Sequence, residues 1–164
     1  MFLKSLLTTG SLTTAAAVAG SLATQSVRSP WYQKLKKPAI QPPPAVFPVV
    51  WTTLYADIAL ASASVLSKRR QTTDAAAADE RVGRGYRRAL VVNLVLNAAW
   101  SWSFFRLRNL PLSVGVAAAL AVSSADLARR AGAVKPLLGW ALAPYAAWCA
   151  FATLLSERIR RLNA

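Results

Sequence analysis

The chain has no histidine, a single cysteine and only 6 acidic residues among its 164. Without histidine, neither a zinc site of cysteine and histidine nor a haem held by a histidine ligand can form. Because Cys149 is alone, an intrachain disulfide is excluded, and we predict a packed small residue there rather than a nucleophile. Nothing supplies a nucleophile with a base, and no carboxylate pair is present for general acid–base catalysis. We therefore predict no catalytic residue, no metal and no cofactor.

Charged side chains are missing from five long stretches, which are residues 5–27, 39–56, 89–105, 109–125 and 136–156. Hydrophobic residues make up 55% of the sequence, and a helix needs about 20 apolar residues to cross a bilayer. The length suits one domain. The pattern predicts an all-α fold in a single domain, residues 1–164, with five transmembrane helices at about 3–25, 44–67, 87–107, 110–130 and 135–157.

The N-terminal segment has some features of a secretory signal peptide, because Lys4 precedes an apolar run that ends in "SLATQS". The uncharged run 5–27 is longer than the usual apolar core of such a peptide, which has about 7–15 residues. We therefore expect the segment to be retained as the first membrane span.

Positive charge is abundant, with 20 lysines and arginines and a formal net charge of +14. These residues are confined to short patches between the predicted spans, where they meet lipid head groups. The sequence contains neither a basic helix interleaved with aromatic residues nor a glycine-lysine phosphate loop, which are features of nucleic-acid and nucleotide binding. We expect the lipid bilayer as a partner and no nucleic acid.

Three of the predicted spans carry aromatic and amide side chains at helical spacing, on one face of each helix. An asparagine in hydrocarbon needs a hydrogen-bond partner, either on another helix or on a bound molecule. Both interpretations remain open for the two asparagines of the third span. The faces are Phe47, Trp51, Tyr55, Ile58 and Ser62 in the second span, Asn93, Asn97, Trp100 and Phe104 in the third, and Trp140, Pro144, Ala147, Trp148 and Phe151 in the fifth.

The segment between the first two spans, "WYQKLKKPAIQPPP" (31–44), combines aromatic residues, lysines and prolines. Trp31 and Tyr32 suit the membrane interface. Residues before a proline avoid the helix, so the residues expected to be extended or polyproline-like are Lys37, Gln41, Pro42 and Pro43. A stiff aromatic loop loses little entropy when it folds back over the helices. We predict that it acts as a lid over the bundle.

At these residues the sequence resembles the TspO/MBR family, the translocator proteins or tryptophan-rich sensory proteins. The first matching motif is W-Y-x-x-L-x-K-P followed by P-P, an aromatic residue and W-x-x-L-Y, between Trp31 and Tyr55. The second is "LNAAWSWSFF" (96–105) and the third is "WALAPYAAWCAFAT" (140–153). Together the motifs extend over nearly the whole chain.

The resemblance implies a receptor or transport-type membrane protein that binds porphyrins, such as protoporphyrin IX and haem, as ligands. It also implies a bacterial cell membrane location rather than the mitochondrial outer membrane. A homodimer is expected too, and Ala16 and Gly20 form a small-xxx-small pair on the first span. The implied pocket residues, with Tyr55 and Trp148 added from the aromatic faces, are Tyr32, Pro42, Trp51, Tyr55, Asn93, Asn97, Trp100, Trp140, Ala147, Trp148 and Phe151.

Other functions remain open at this point. The family's "LNY" sterol motif is replaced here by Leu155, Ser156 and Glu157, which weakens the case for a sterol ligand. Light-dependent degradation of a bound porphyrin, reported for the family, would make the protein an enzyme without an acid–base pair. A small transporter or a structural bundle without a pocket is a further alternative.

Overall fold

The computed structural model describes residues 1–67 and 73–164, with side chains from residue 80 onward in the second range. The described residues contain helices and no strand, which confirms the all-α prediction. The π-helical turn Trp102–Arg106 directly continues α4. The elements are α1 (Phe2–Thr24), a 3-10 turn (Gln25–Arg28), α2 (Pro30–Lys34), α3 (Val46–Ser67), α4 (Thr73–Ser101), the π-helical turn, α5 (Leu110–Val134) and α6 (Pro136–Leu162).

Local sequence signals explain where several helices begin. The side chain of Ser29 accepts a hydrogen bond from the backbone N–H of Tyr32, and Pro30 occupies the first turn of α2. The side chain of Asn109 caps α5 in the same way. Such caps satisfy backbone N–H groups that have no partner within the helix. Lys135, in extended conformation, is the single residue between α5 and α6.

Among the described residues, four helical segments are long and apolar enough to cross a membrane: Phe2–Arg28, Val46–Ser67, Leu110–Val134 and Pro136–Leu162. The third predicted span, 87–107, lies in α4 and the π-helical turn, with residues 89–105 uncharged. Helix α4 begins at Thr73, well before the predicted start at 87, and its crossing of the membrane remains a prediction. The last two helices are longer than predicted, because they continue past their apolar runs. Ion pairs three and four residues apart support these extensions, from Asp126 to two arginines in α5 and from Glu157 to two in α6.

The helix pairs that pack most extensively are α5 with α6 and α1 with α3, and α4 packs on both α5 and α1. Helices α5 and α6 form a close hairpin, in which Gly132 and Gly139 bring the two backbones into contact. Helix α1 packs on α3 and α4. The hydroxyl of Thr9 donates to the backbone oxygen of Ala59 at 2.9 Å. The small-xxx-small pair of α1 is used inside the chain, since Ala16 and Gly20 are both buried, and it therefore offers no outer face for a dimer.

The segment between α1 and α3, called here the first loop (residues 25–45), folds against the ends of α4 and α6. The Trp31 ring lies 6.1 Å from that of Phe104 in an edge-on arrangement. Asn163 fixes the loop from the other side, because its side chain accepts from the Lys36 N–H at 3.0 Å and donates to the Lys36 carbonyl at 2.9 Å. These contacts place the first loop across one end of the bundle.

Candidate ligand-binding cavity

A cavity of about 520 Å³ lies between α1, α3 and the end of α4, beneath the first loop. Its volume falls within the range of small-molecule sites, about 300–1,000 Å³. Its walls combine aromatic rings with small and hydroxyl-bearing side chains. The lining residues are Ala17, Gly20, Ser21, Thr24, Val27, Tyr32, Pro44, Phe47, Pro48, Trp51, Thr52, Tyr55, Asn97, Trp100, Ser101 and Phe105.

Helix α3 supplies the aromatic wall because three of its rings recur at intervals of one turn. Trp51 is at the centre of this wall. The centroid of its ring lies 5.6 Å from that of Tyr55 and 6.2 Å from that of Trp100 on α4. A third ring, that of Tyr145 on α6, stands edge-on to Trp51 at 6.5 Å. Such offset and edge-on arrangements are the ones that aromatic rings favour.

Helix α1 supplies the opposite wall, and its small side chains leave the space that the cavity occupies. A Cβ atom at Gly20 would lie 3.4 Å from the hydroxyl of Ser101 and 4.0 Å from that of Tyr55. These are ordinary van der Waals distances, so the approach of α1 to α4 at this point does not require glycine. The indole N–H of Trp102 donates to the backbone oxygen of Ala19 at 3.0 Å, which fixes the approach.

The π-helical turn at the end of α4 shapes the part of the cavity near the first loop. It brings two consecutive phenylalanines, Phe104 and Phe105, towards the loop with ring centroids 4.8 Å apart. The Tyr32 ring packs against both of them. Such π-helical turns occur often at functional sites. Burial raises the pKa of the Tyr32 phenol above its usual value, so the phenol remains a neutral hydrogen-bond donor at physiological pH.

A chain of hydrogen bonds leads from the cavity into the bundle core. The Tyr55 hydroxyl donates to Asn97 Oδ1 at 2.6 Å, and Asn97 Nδ2 donates to the Tyr145 hydroxyl at 3.5 Å. The Tyr145 hydroxyl donates to Asn93 Oδ1 at 2.7 Å, and Asn93 Nδ2 donates to the Ser124 hydroxyl at 3.0 Å. Both asparagines therefore have partners on other helices. Asn97 also lines the cavity, whereas Asn93 does not.

Positive charge surrounds the end of the bundle above the cavity. The Lys37 ammonium lies 4.5 Å from the centroid of the Tyr32 ring, and the Arg108 guanidinium lies 5.5 Å from that of Trp31. Both contacts have the geometry of cation–π interactions. An anionic group at the mouth of the cavity would meet a favourable potential.

The structure brings five of the predicted site residues to the cavity wall and leaves six elsewhere. Those on the wall are Tyr32, Trp51, Tyr55, Asn97 and Trp100. Trp148 and Phe151 pack on each other at 5.5 Å, and the Trp148 ring contacts that of Phe47, just outside the cavity. Pro42 lies in the first loop and does not line the cavity.

The aromatic face predicted for the last span is only partly directed inwards. Trp140 is 76% exposed and Ala147 is exposed as well, so α6 directs both away from the cavity. An exposed tryptophan in the first turns of a membrane helix is typical of an interfacial anchor. The prediction that Cys149 is a packed small residue is confirmed. The face that α6 buries contains Leu142, Tyr145, Cys149, Ala152, Leu155, Ser156 and Ile159.

The sequence pattern did not single out the α1 wall. Ala17, Gly20, Ser21 and Thr24 follow each other at spacings of three, one and three residues, which puts them on one helix face. This run of small residues at helical spacing was a usable signal, although α1 is rich in small residues throughout. Phe105, on the π-helical turn, had no comparable signal, because an ordinary helix would turn it away from Tyr32.

The model of the TspO/MBR family matches residues 9–162 of the chain. The chain belongs to the TspO/MBR family. Protein CrtK of Rhodobacter capsulatus is 32% identical over 151 residues, which cover 91% of this chain and 88% of the relative. The tryptophan-rich protein TspO of Chlorobaculum tepidum is 32% identical over 158 residues, with 91% and 89% covered. The translocator protein of Sus scrofa is 32% identical over 140 residues, with 81% and 75% covered. Membership of the TspO/MBR family confirms the resemblance seen in the three motifs.

Proposed function

We propose that this protein is a multi-pass membrane receptor or transport-type protein that binds porphyrins and related flat, apolar molecules. The observation that carries the proposal is the aromatic cavity, in which Trp51 lies between Tyr55 and Trp100. The first loop acts as the lid of this cavity. The relatives named translocator protein and TspO support a membrane role of this kind.

The chemistry of the cavity suits a flat macrocycle. Tryptophan and tyrosine rings stack on aromatic ligands, while amide and hydroxyl groups meet polar edges. Asn97 and Ser101 supply such groups on the α4 wall. The carboxylates of a porphyrin would lie towards Lys37, whose ammonium stands over the Tyr32 ring at the loop end of the cavity.

Helix α4 and the π-helical turn form the third of five spans in this proposal. Their uncharged part, residues 89–105, is short for a span, but the guanidinium groups of Arg87, Arg88 and Arg106 can reach the interface from either end. The two asparagines in this part would be costly in lipid without partners. Their hydrogen bonds to Tyr55, Tyr145 and Ser124 remove that cost.

Titration with protoporphyrin IX, followed by quenching of tryptophan fluorescence, tests the proposal. The wild type should bind the porphyrin with saturation. Trp51→Ala should weaken binding about tenfold, because it removes the central stacking ring, and a tenfold change corresponds to about 1.4 kcal/mol. Trp140→Ala is the matched control, since it removes an exposed tryptophan from α6, and it should leave the affinity unchanged. Equal losses in both variants would contradict the proposed site.

A further inference from the structure

A groove of about 370 Å³ follows the outer surface between α1 and α3. It shares four lining residues with the aromatic cavity, namely Ala17, Ser21, Thr52 and Tyr55. Beyond these, its walls include Thr14 of α1 and Ala56 of α3, both exposed and neither part of the cavity. The groove therefore adjoins the cavity from the outer face of the bundle.

The contact between these two helices, called here the α1–α3 seam, is held tightly only at the end far from the first loop. There, the Thr9 hydroxyl donates to the backbone oxygen of Ala59. Among the described residues of the two helices, no other hydrogen bond crosses the seam. Nearer the loop, α1 is bonded to α4 instead, through Trp102 and Ala19. Around the groove, the seam is closed by packing alone.

The side chains that separate the groove from the cavity are mostly small. Ala17 is half-buried, while Ser21 and Thr52 are exposed. The Ser21 hydroxyl donates to the backbone oxygen of Val18 in its own helix and so makes no bond across the seam. Passage between groove and cavity thus requires side-chain motion and a small separation of two helices, and it breaks no hydrogen bond between them.

The depth of the groove matches the depth at which an amphipathic carboxylate lies in a bilayer. Ser21 is seven residues from Arg28, which is about 10 Å along a helix at 1.5 Å per residue. Lys34, Lys36 and Lys37 follow in the first loop. A flat ligand with carboxylates at the head groups and its apolar body below them would therefore face the groove. If the ligand enters through the groove, its carboxylates remain at the membrane interface throughout.

The first loop, by contrast, closes the route from the aqueous side. Its backbone is bonded twice to Asn163 at the end of α6. Trp31 and Tyr32 pack edge-on against Phe104 underneath. A ligand entering from above would have to displace these ring contacts and break both hydrogen bonds.

We propose that the α1–α3 seam is a lateral portal, through which a flat, amphipathic carboxylate moves directly between the bilayer and the cavity. This inference rests on the proposed function, because it concerns how the ligand of that cavity enters and leaves. Ligand exchange then depends on residues of the groove that do not contact the bound ligand.

The test measures exchange rates with the full-length chain in phosphatidylcholine vesicles and protoporphyrin IX as the probe. Equilibrium titration gives Kd, and displacement by excess haem gives the dissociation rate constant. Ala56→Phe fills the groove but leaves the cavity wall intact. The matched control is Thr53→Phe, which adds the same ring to an exposed position of α3 that lines neither space.

We expect Ala56→Phe to lower the dissociation rate constant about tenfold while Kd changes less than about twofold. A blocked portal raises the barrier equally in both directions, so association slows by the same factor. Thr53→Phe should leave both quantities at their wild-type values. Thr14→Phe, on the opposite wall of the groove, should reproduce the effect of Ala56→Phe, and the retained Kd shows that each variant is folded.

Equal dissociation rates in Ala56→Phe and Thr53→Phe would overturn the portal while leaving the binding site in place. A changed oligomeric state in Ala56→Phe with unchanged rates would also overturn it, since the groove would then hold a second copy of the chain. Failure of the wild type to bind the porphyrin would appear in the titration itself and would overturn the proposed function together with the portal.

Discussion

The α5–α6 hairpin and the α1–α3 seam are built from similarly small residues and yet differ in how closely their helices approach. At the hairpin, a Cβ atom on Gly139 would lie 2.8 Å from the Cα atom of Gly132 and 3.1 Å from the backbone oxygen of Ala128. The backbones are in direct contact there. At the α1–α3 seam, small side chains border a groove and a cavity instead.

The connections between the helices explain this difference. Lys135 alone joins α5 to α6, so the hairpin is held tight at its turn and can be packed to backbone contact. Helices α1 and α3 are joined instead by the long first loop, which lies over the cavity between them. The comparison teaches that small residues alone do not bring two helix backbones into contact. At the α1–α3 seam they border a groove and a cavity.

The largest effect should come from filling the α5–α6 contact. Gly139→Ala introduces a methyl group where the facing backbone leaves no space, and overpacking of this kind costs about 1–3 kcal/mol. The helices must separate, because a backbone cannot turn aside as a side chain does. We expect a clear drop in the midpoint of thermal unfolding in detergent, with little effect on porphyrin affinity in the variant that remains folded.

The control for this prediction is Gly115→Ala on α5, where an added Cβ atom meets nothing within 4 Å. Alanine favours the helix over glycine, so the unfolding midpoint should stay the same or rise slightly. If both variants unfolded at the same temperature, the hairpin would not be the tightly packed element of the fold.

Much of this architecture could be predicted from the sequence because the signals were local. Uncharged runs indicated four of the apolar helices, and the i, i+3, i+4 spacing placed Trp51, Tyr55 and Asn97 on inward faces. Both properties depend on residues within one helix. The structure places these three residues in one cavity because α3 and α4 turn their aromatic faces towards the same space.

The α6 face and the α1 wall could not be predicted in the same way. The family resemblance and the helical spacing both imply that Trp140 is a pocket residue. A tryptophan suits the membrane interface as well as a pocket, and only tertiary packing decides between them. The inward role of Tyr145 depends on its bonds to Asn93 and Asn97 of another helix. The α1 wall borders a space that larger residues of other helices enclose. The periodicity of a single helix does not predict such a space.

An intermediate effect should come from the hydrogen-bond chain that links α3, α4, α5 and α6. Asn93→Ala leaves the Tyr145 and Ser124 hydroxyls without their amide partner, and a buried group that loses its partner costs about 1–3 kcal/mol. Interhelical bonds in membranes average less, about 0.6 kcal/mol, so we expect a loss near 1 kcal/mol. The unfolding midpoint should fall, while Kd for protoporphyrin IX changes less than about threefold.

This result separates the two interpretations of the asparagines. If Asn93→Ala instead weakened porphyrin binding tenfold with an unchanged unfolding midpoint, Asn93 would contact the ligand and the cavity would extend further towards α5. Trp51→Ala, measured in parallel, shows how large a direct loss of ligand contact is. Asn93→Ala should therefore act mainly on the unfolding midpoint, and Trp51→Ala mainly on Kd.

The smallest effect concerns the charge above the cavity. Lys37→Ala removes the ammonium over the Tyr32 ring, and an exposed ion pair with a ligand carboxylate is worth about 0.2–1 kcal/mol. We expect the affinity for protoporphyrin IX to fall about two- to threefold at low salt, and the difference to fade as salt screens the pair. The control is Lys34→Ala, which removes an exposed lysine of α2 that has no ring contact among the described residues. It should change the affinity less.

The uncharged dimethyl ester of protoporphyrin distinguishes an effect of charge from an effect of packing. If Lys37 acts on the carboxylates, its loss should not alter binding of the ester. If binding of the ester is weakened as much as that of the acid, Lys37 acts by holding Tyr32 in place and not by pairing with the ligand's carboxylates.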